Sequence, residues 1–108
     1  LITNNADRKA GHCISDSKNV IWSIDHGLTF NSEFKLRTVM FEFCGKKIPS
    51  QFIHDISQAL IELKENQEIK KLLSHEEFTS LISRMEQIIA NPMIPILNPN
   101  TDIPWPLV

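Results

Sequence analysis

Glycine is scarce in this chain, with three residues among 108, and the three are scattered as Gly11, Gly27 and Gly45. A loop that wraps nucleotide phosphates needs several glycines close together, so that backbone amides can approach the phosphates. The sequence contains no such loop. A complete phosphate cradle therefore cannot be assembled from these residues alone.

Charge of one sign and long apolar runs are also lacking. The formal net charge is −2, from 11 basic and 13 acidic residues, so no basic field favours nucleic acid or an anionic membrane. No apolar run approaches the roughly 20 residues that cross a bilayer. No signal-peptide pattern is present either. We expect a cytoplasmic protein with no nucleic-acid partner and no transmembrane segment.

Cysteine is limited to Cys13 and Cys44. Disulfides are mainly an extracellular device, so we expect two reduced thiols, with a disulfide as the alternative. A zinc site from these thiols with His12 and His26 is not expected, because neither the C-x-x-C nor the H-x(3–5)-H spacing occurs.

What remains is the composition of a globular domain, 42% apolar and 22% charged. Its length predicts a single domain over 1–108. Cys13-Ile14 and the apolar run Val20–Ile24 predict a β-hairpin around a polar turn. The near-continuous apolarity of the second strand predicts burial on both faces, with Trp22 in the core. The catalytic loop, the hairpin and the following segment are expected within 1–48.

Helices are predicted over 49–91. Ser50 is the expected N-cap of the first, which ends near Asn66. A short amphipathic segment follows, and Ser74–Glu77 has the capping-box pattern that begins a helix running to about Asn91. Residues 37–43 could be a strand or a helix, because their periodicity does not decide between them.

The tail over 92–108 holds five of the six prolines, so it is neither a regular helix nor a central strand. Its apolar residues predict an extended segment packed along the helices. The predicted fold class is therefore mainly α with a small β-hairpin (α+β).

Two acids frame the hairpin: Asp7 in the polar loop 3–12, and Asp25 directly after the second strand. In phosphotransfer sites, one acid positions the acceptor hydroxyl and another holds the metal that bridges the nucleotide phosphates. The spacing alone is weak evidence, because an Asp can simply cap a turn.

The runs Asn5–Arg8 and Ile24–Phe30 resemble the catalytic core of phosphatidylinositol 3-/4-kinase-like proteins. They are especially similar to the type II phosphatidylinositol 4-kinases, which have Asn-Thr-Asp-Arg and then Ile-Asp-Asn-Gly-Leu-Ala-Phe.

A bacterial phosphatidylinositol 3-/4-kinase-like family is more similar still. Its pattern is matched in order by Asn5–His12, Asp25–Phe30, Lys35–Val39 and Ile103–Pro106. The resemblance covers essentially the whole chain but only the C-terminal lobe of the family. It implies the C-terminal lobe of a protein-kinase-like fold, and a companion N-terminal lobe that is missing here. The start at Leu1 rather than Met also suggests a piece of a longer chain.

The resemblance implies that Asp7 is the catalytic acid and Asp25 the metal-binding acid. His12 stands where kinases usually have a metal-binding Asn, and imidazole suits Mn²⁺ or Zn²⁺ better than Mg²⁺. Asn5 and Arg8 would brace the loop, with Arg8 pairing with a carboxylate or a phosphate.

Two further residues are candidate contacts for the nucleotide. Gly27 would permit the backbone turn after the metal-binding acid. Lys9 would either contact phosphate or be a solvated surface charge, and the sequence favours neither alternative. For Lys35 and Arg37 a structural ion pair is favoured over an anionic substrate. His54 and His75 are expected to have no functional role.

The implied function is transfer of the ATP γ-phosphoryl group to a hydroxyl, with ATP and Mg²⁺ or Mn²⁺ as cofactors. The acceptor could be a lipid, a protein or a small molecule. Without its companion lobe, the chain should be close to inactive and should expose apolar surface. The alternative is a pseudokinase-like binding or scaffolding module without catalysis.

Overall fold

The hairpin forms where the sequence predicts it. The computed structural model describes residues 1–107 and has two antiparallel strands, β1 (Cys13–Ser15) and β2 (Ile21–Ser23). Their register pairs Cys13 with Ser23 and Ser15 with Ile21. The Asp16 carboxylate closes the turn by accepting from the amides of Lys18 (2.8 Å) and Val20 (3.0 Å). A short acidic side chain at this position accepts from turn amides that have no partner in the hydrogen bonds between the two strands.

Burial of the hairpin was wrongly predicted. Ile21 is 74% exposed and Trp22 58% exposed, so β2 is not buried on both faces and Trp22 does not lie in the core. The indole Nε1 of Trp22 donates instead to the Asp16 carboxylate, at 2.9 Å. A two-stranded sheet buries apolar side chains only where a second layer covers it. Within residues 1–107 no helix or further strand does so.

Three helices follow: α1 (Ser50–Glu65), α2 (Gln67–Leu72) and α3 (His75–Ala90). The N-cap of α1 is Pro49, so the prediction of Ser50 as the cap was wrong by one residue. The predicted capping box of α3 is confirmed, with Ser74 and Glu77 each accepting from the other's backbone amide. No helix among the described residues is long and apolar enough to span a membrane.

Helix α3 carries half of the apolar core. Its side chains at Leu81, Met85 and Ile88 are 2–6% exposed, whereas α1 packs on α3 without burying any residue fully. An exposed ion pair between Lys64 and Glu86, at 2.7 Å, also joins the two helices. The rest of the core comes from irregular segments, at Leu36, Ile48 and Leu97. The molecule is therefore an α+β domain with three helices and one hairpin.

Residues 37–43, left open between strand and helix, form neither along their length. Arg37 and Val39 exchange backbone hydrogen bonds with Asn5 and Arg8, including a parallel bridge between Arg8 and Thr38. A single turn of 3₁₀-helix then spans Phe41–Phe43. This pairing fixes one side of the polar loop against the body of the domain.

The tail is held by backbone hydrogen bonds that the sequence did not predict. Its backbone pairs with the segment before α1: Ile48 donates to Pro92, Ile94 donates to Lys46, and Gly45 donates to Ile94. Extended proline-rich backbone can still pair wherever a non-proline residue offers its amide. The tail buries Leu97 but leaves Ile96 and Trp105 largely exposed.

Met85 is 2% exposed, so we expect Met85→Ala to lower the free energy of unfolding by about 2–5 kcal/mol, through lost apolar contacts and a residual cavity. Urea denaturation followed by circular dichroism measures the change. The matched control is Met93→Ala at a side chain that is 40% exposed, and it should cost less than about 1 kcal/mol. Equal decreases in the free energy of unfolding in the two variants would contradict a core centred on α3.

Candidate functional site

The polar loop is fixed from within by two asparagines. Asn4 is fully buried with a left-handed backbone (φ 51°), and its amide group donates to the carbonyls of Asn31 and Glu33. Its Oδ1 accepts from the amide of Lys35 at 2.9 Å. Asn5 Oδ1 accepts from the amide of Asp7 at 2.8 Å. Because both side chains bond to backbone, the loop that carries Asp7 has a defined shape, and Asn5 is one of the residues that hold it.

Arg8 joins the loop to the hairpin. Its Nη1 donates to the backbone carbonyls of Ile24 (3.0 Å) and His12 (3.3 Å), and its Nη2 donates to His26 Nδ1 (3.1 Å). Within residues 1–107 the side-chain partners of Arg8 are therefore two carbonyls and an imidazole, and no carboxylate is among them.

His26 is a site residue that sequence reasoning missed. Because arginine can only donate, His26 Nδ1 must accept, which assigns the ring proton to Nε2. That Nε2–H then donates to the carbonyl of Ser23, at 3.1 Å. The neutral imidazole thus links Arg8 to the end of β2. Its place between Asp25 and Gly27 was visible in the sequence, but its partner eighteen residues away was not.

The structure brings three of the predicted residues together. One donor atom each from Asp7, His12 and Asp25 lies within 4.8 Å of the others. His12 Nε2 is 3.5 Å from Asp25 Oδ2. Lys9 is buried, 9% exposed, with its Nζ 3.3 Å from Asp7 Oδ1. Lys9 is therefore not the solvated surface charge that one reading allowed.

The backbone turn at the second acid differs from the prediction. Asp25 itself adopts the left-handed conformation (φ 55°), whereas Gly27 does not have a positive φ. A Cβ added at Gly27 would meet only Asp25 Oδ1, at 3.7 Å, which is an ordinary contact. Asp25 is thus the left-handed residue here, and Gly27 lies in the turn that follows without needing a positive φ. Backbone strain in a non-glycine residue is common where a side chain must be aimed at a site.

The donor set fits a divalent cation. Ligands about 2.1 Å from an ion lie roughly 3 Å apart when adjacent and about 4.2 Å apart when opposite. In the cluster His12 Nε2 and Asp25 Oδ2 are 3.5 Å apart and all three donor atoms lie within 4.8 Å of one another, so the cluster is slightly wider than a closed coordination shell. His12 Nδ1 is buried without a partner among the described residues, so this ring retains unused hydrogen-bonding capacity beside the acids. Two carboxylates with one imidazole suit Mn²⁺ or Zn²⁺ better than Mg²⁺.

Other candidates lie outside this cluster. Lys35 makes an exposed ion pair with Glu33, at 3.9 Å, in line with the structural role that was favoured. Cys13 and Cys44 are both free and neither belongs to the cluster. His54 is exposed on α1.

Comparison with known proteins yields one curated relative. The chain is 31% identical over 108 residues to the protein Rv2133c of Mycobacterium tuberculosis, a match that covers 98% of this chain and 39% of the relative. No family model and no solved structure matches the chain. The chain thus spans about two fifths of the length of the relative, whose name states no activity.

The turn that leads into β2 can be tested by its pH dependence. The hydrogen bond from the Trp22 indole, followed by those from the amides of Val20 and Lys18, holds the pKa of Asp16 below its usual value of 3.8. The stabilisation is present above the unfolded pKa and is lost as pH falls through the lower folded value. We expect the Trp22 indole N–H signal to titrate with a midpoint below 3.8. Two-dimensional NMR measures the midpoint.

The Trp105 indole signal, from an exposed side chain, serves as the internal control and should not move with Trp22. The Asp16→Asn variant should abolish the Trp22 titration. A midpoint at or above 3.8 would contradict the hydrogen-bonded turn.

Proposed function

We propose that this chain is the C-terminal catalytic lobe of an atypical phosphatidylinositol 3-/4-kinase-like phosphotransferase, which transfers the γ-phosphoryl group of ATP to a hydroxyl. The observation that carries the proposal is the cluster of Asp7, His12 and Asp25 with Lys9 beside it. The first acid comes from a loop and the second follows a hairpin. In kinases the same arrangement serves the acceptor and the metal, respectively.

Each residue then has a separate role. Asp7 orients the acceptor hydroxyl and accepts its proton. Lys9 lies 3.3 Å from Asp7, close enough to hold that carboxylate and to donate to an oxygen of the transferring phosphoryl group. Asp25 and His12 would hold Mg²⁺ or Mn²⁺. A bound divalent ion supplies charge neutralisation at the phosphates. Gly27 remains a candidate neighbour of the nucleotide.

Most of the catalytic effect in this class is positioning and charge neutralisation, so the set of charges matters more than any covalent step. The cluster combines two carboxylates with one ammonium and one imidazole, in a domain whose formal net charge is only −2. In such a site the charges of Lys9 and of a bound metal ion would offset those of the carboxylates and of the nucleotide phosphates. Asp25 has a left-handed backbone, a conformation that Asp tolerates, and its side chain lies in the cluster.

The rest of the nucleotide cradle would come from a companion lobe. The chain covers 39% of the length of its curated relative, so the relative is long enough to contain such a lobe as well. The acceptor is a lipid, a protein or a small molecule, because a fold does not determine a substrate. Use of ATP would place the enzyme in the cytoplasm. This lobe alone should be close to inactive.

A second candidate function is a pseudokinase-like binding module without catalysis. The exposed apolar hairpin favours it, since Ile14, Ile21 and Trp22 are between 47% and 74% exposed. Exposed apolar patches of this kind mark surfaces that contact another chain. The same surface would also serve a companion lobe, so exposure alone does not separate the two functions.

The deciding experiment is calorimetric titration of ATP into the natural-length protein, with Mn²⁺ and then with EDTA in its place. We expect binding only with Mn²⁺, and at least about tenfold weaker binding in the Asp25→Asn variant, which removes a ligand charge while keeping the side-chain shape. The control is Asp55→Asn on the exposed face of α1, which changes the same charge outside the cluster.

Unchanged ATP affinity in Asp25→Asn would contradict the metal-binding role of this acid. If neither the natural protein nor the variant binds ATP, the phosphotransferase proposal fails and the binding module becomes the better account.

A further inference from the structure

Two of the residues proposed to hold the metal, His12 and Asp25, lie on either side of the hairpin in the chain. Their backbones are joined, because the amide of Ile24 donates to the carbonyl of His12 at 2.9 Å. Nη1 of Arg8 donates to that same carbonyl at 3.3 Å and to the carbonyl of Ile24 at 3.0 Å. One guanidinium nitrogen therefore contacts the backbone of one ligand and of the residue directly before the other.

The guanidinium can hold both carbonyls only while it keeps one orientation. A long arginine side chain has several rotatable bonds, and it loses rotamer freedom when it is fixed. His26 contacts the other terminal nitrogen of the group, since Nη2 of Arg8 donates to Nδ1 of the imidazole at 3.1 Å. The ring is held in turn, because its Nε2 donates to the carbonyl of Ser23 at 3.1 Å. The imidazole thus orients the guanidinium that holds the two carbonyls.

His26 is not itself a candidate ligand. Both of its ring nitrogens already have partners within residues 1–107, and the group of possible metal donors contains Asp7, His12 and Asp25 but not this imidazole. As a neutral acceptor, the ring orients the guanidinium without adding a negative charge near the two carboxylates. These hydrogen bonds connect His26 to the ligands through Arg8.

We propose that His26 is a positioning residue for the cation site: by orienting the guanidinium of Arg8, it keeps His12 and Asp25 side by side as ligands. This role rests on the metal-binding function proposed for the cluster. Replacing a residue that orients metal ligands typically changes metal affinity by about 10- to 100-fold. His26 thus affects metal binding without contacting the metal, the nucleotide or the acceptor.

The test is titration of Mn²⁺ into the natural-length protein without nucleotide, with the free ion measured by electron paramagnetic resonance. We expect His26→Phe, which keeps a ring but can neither accept nor donate, to weaken Mn²⁺ binding by about tenfold or more. His26→Asn retains an acceptor near the position of Nδ1 and should recover most of the affinity. The control is His54→Phe, the same change at an exposed position on α1, which should leave the affinity unchanged. Equal affinity in His26→Phe and His54→Phe would overturn the proposal.

Arg8→Gln shows whether the imidazole acts through the guanidinium. Alone, this substitution should weaken Mn²⁺ binding by at least as much as His26→Phe, because it also releases the two carbonyls. When both substitutions are combined, we expect little further weakening, since the contact between the two side chains is already lost in either single variant. If the two decreases in affinity multiply instead, His26 does not act through Arg8.

Relaxation-dispersion NMR of the metal-free protein separates the positioning role from the proposed function. We expect His26→Phe to produce microsecond-to-millisecond exchange at the amide of His12, on the far side of Arg8, and His54→Phe to produce none. If the natural protein binds no Mn²⁺ but His26→Phe still causes this exchange, the metal-binding function is wrong and the contact through Arg8 stands. If Mn²⁺ binds but its affinity and the His12 amide are unchanged in His26→Phe, the positioning role is wrong and the cation site stands.

Discussion

The guanidinium of Arg8 is the contact on which the candidate site depends. It holds the carbonyls of His12 and Ile24 and the ring of His26, and so ties the polar loop to the hairpin. His12 and Asp25 lie next to these anchors, which is why their side chains meet at 3.5 Å although the hairpin is largely uncovered. Arg8 and His26 also line an open cavity whose other walls are mostly apolar. Two chemically different surfaces are thus supported by one charged side chain.

Much of the local structure could be predicted from the sequence, because it depends on neighbouring residues. The capping box of Ser74 and Glu77 specifies the start of α3, and the polar turn around Asp16 specifies the hairpin. The apolar spacing within α1 and α3 specifies their contact face. The grouping of Asp7 with Asp25 was also foreseen, but through similarity of motifs. Spacing along the chain could not have placed the two acids within one cluster.

The remaining features depend on contacts between distant residues. The sequence predicts Trp22 in the core, but its burial depends on whether a second layer covers the hairpin, and the side chain is exposed. The tail pairs with residues 45–48, an interaction that proline-rich sequence gives no means of assigning. Likewise, the left-handed residue is Asp25 rather than the nearby Gly27, which the sequence did not indicate. Local preference predicted the elements, and long-range hydrogen bonds determined their arrangement.

The central claim is that the loop acid and the hairpin acid form one cation site. Paramagnetic broadening of backbone amide signals by substoichiometric Mn²⁺ tests it most directly, because broadening falls steeply with distance from the ion. The account predicts that the signals of Asp7, His12 and Asp25 disappear first and together. Broadening that begins at other exposed acids, such as Glu76 at the start of α3, while those three signals persist, would contradict it.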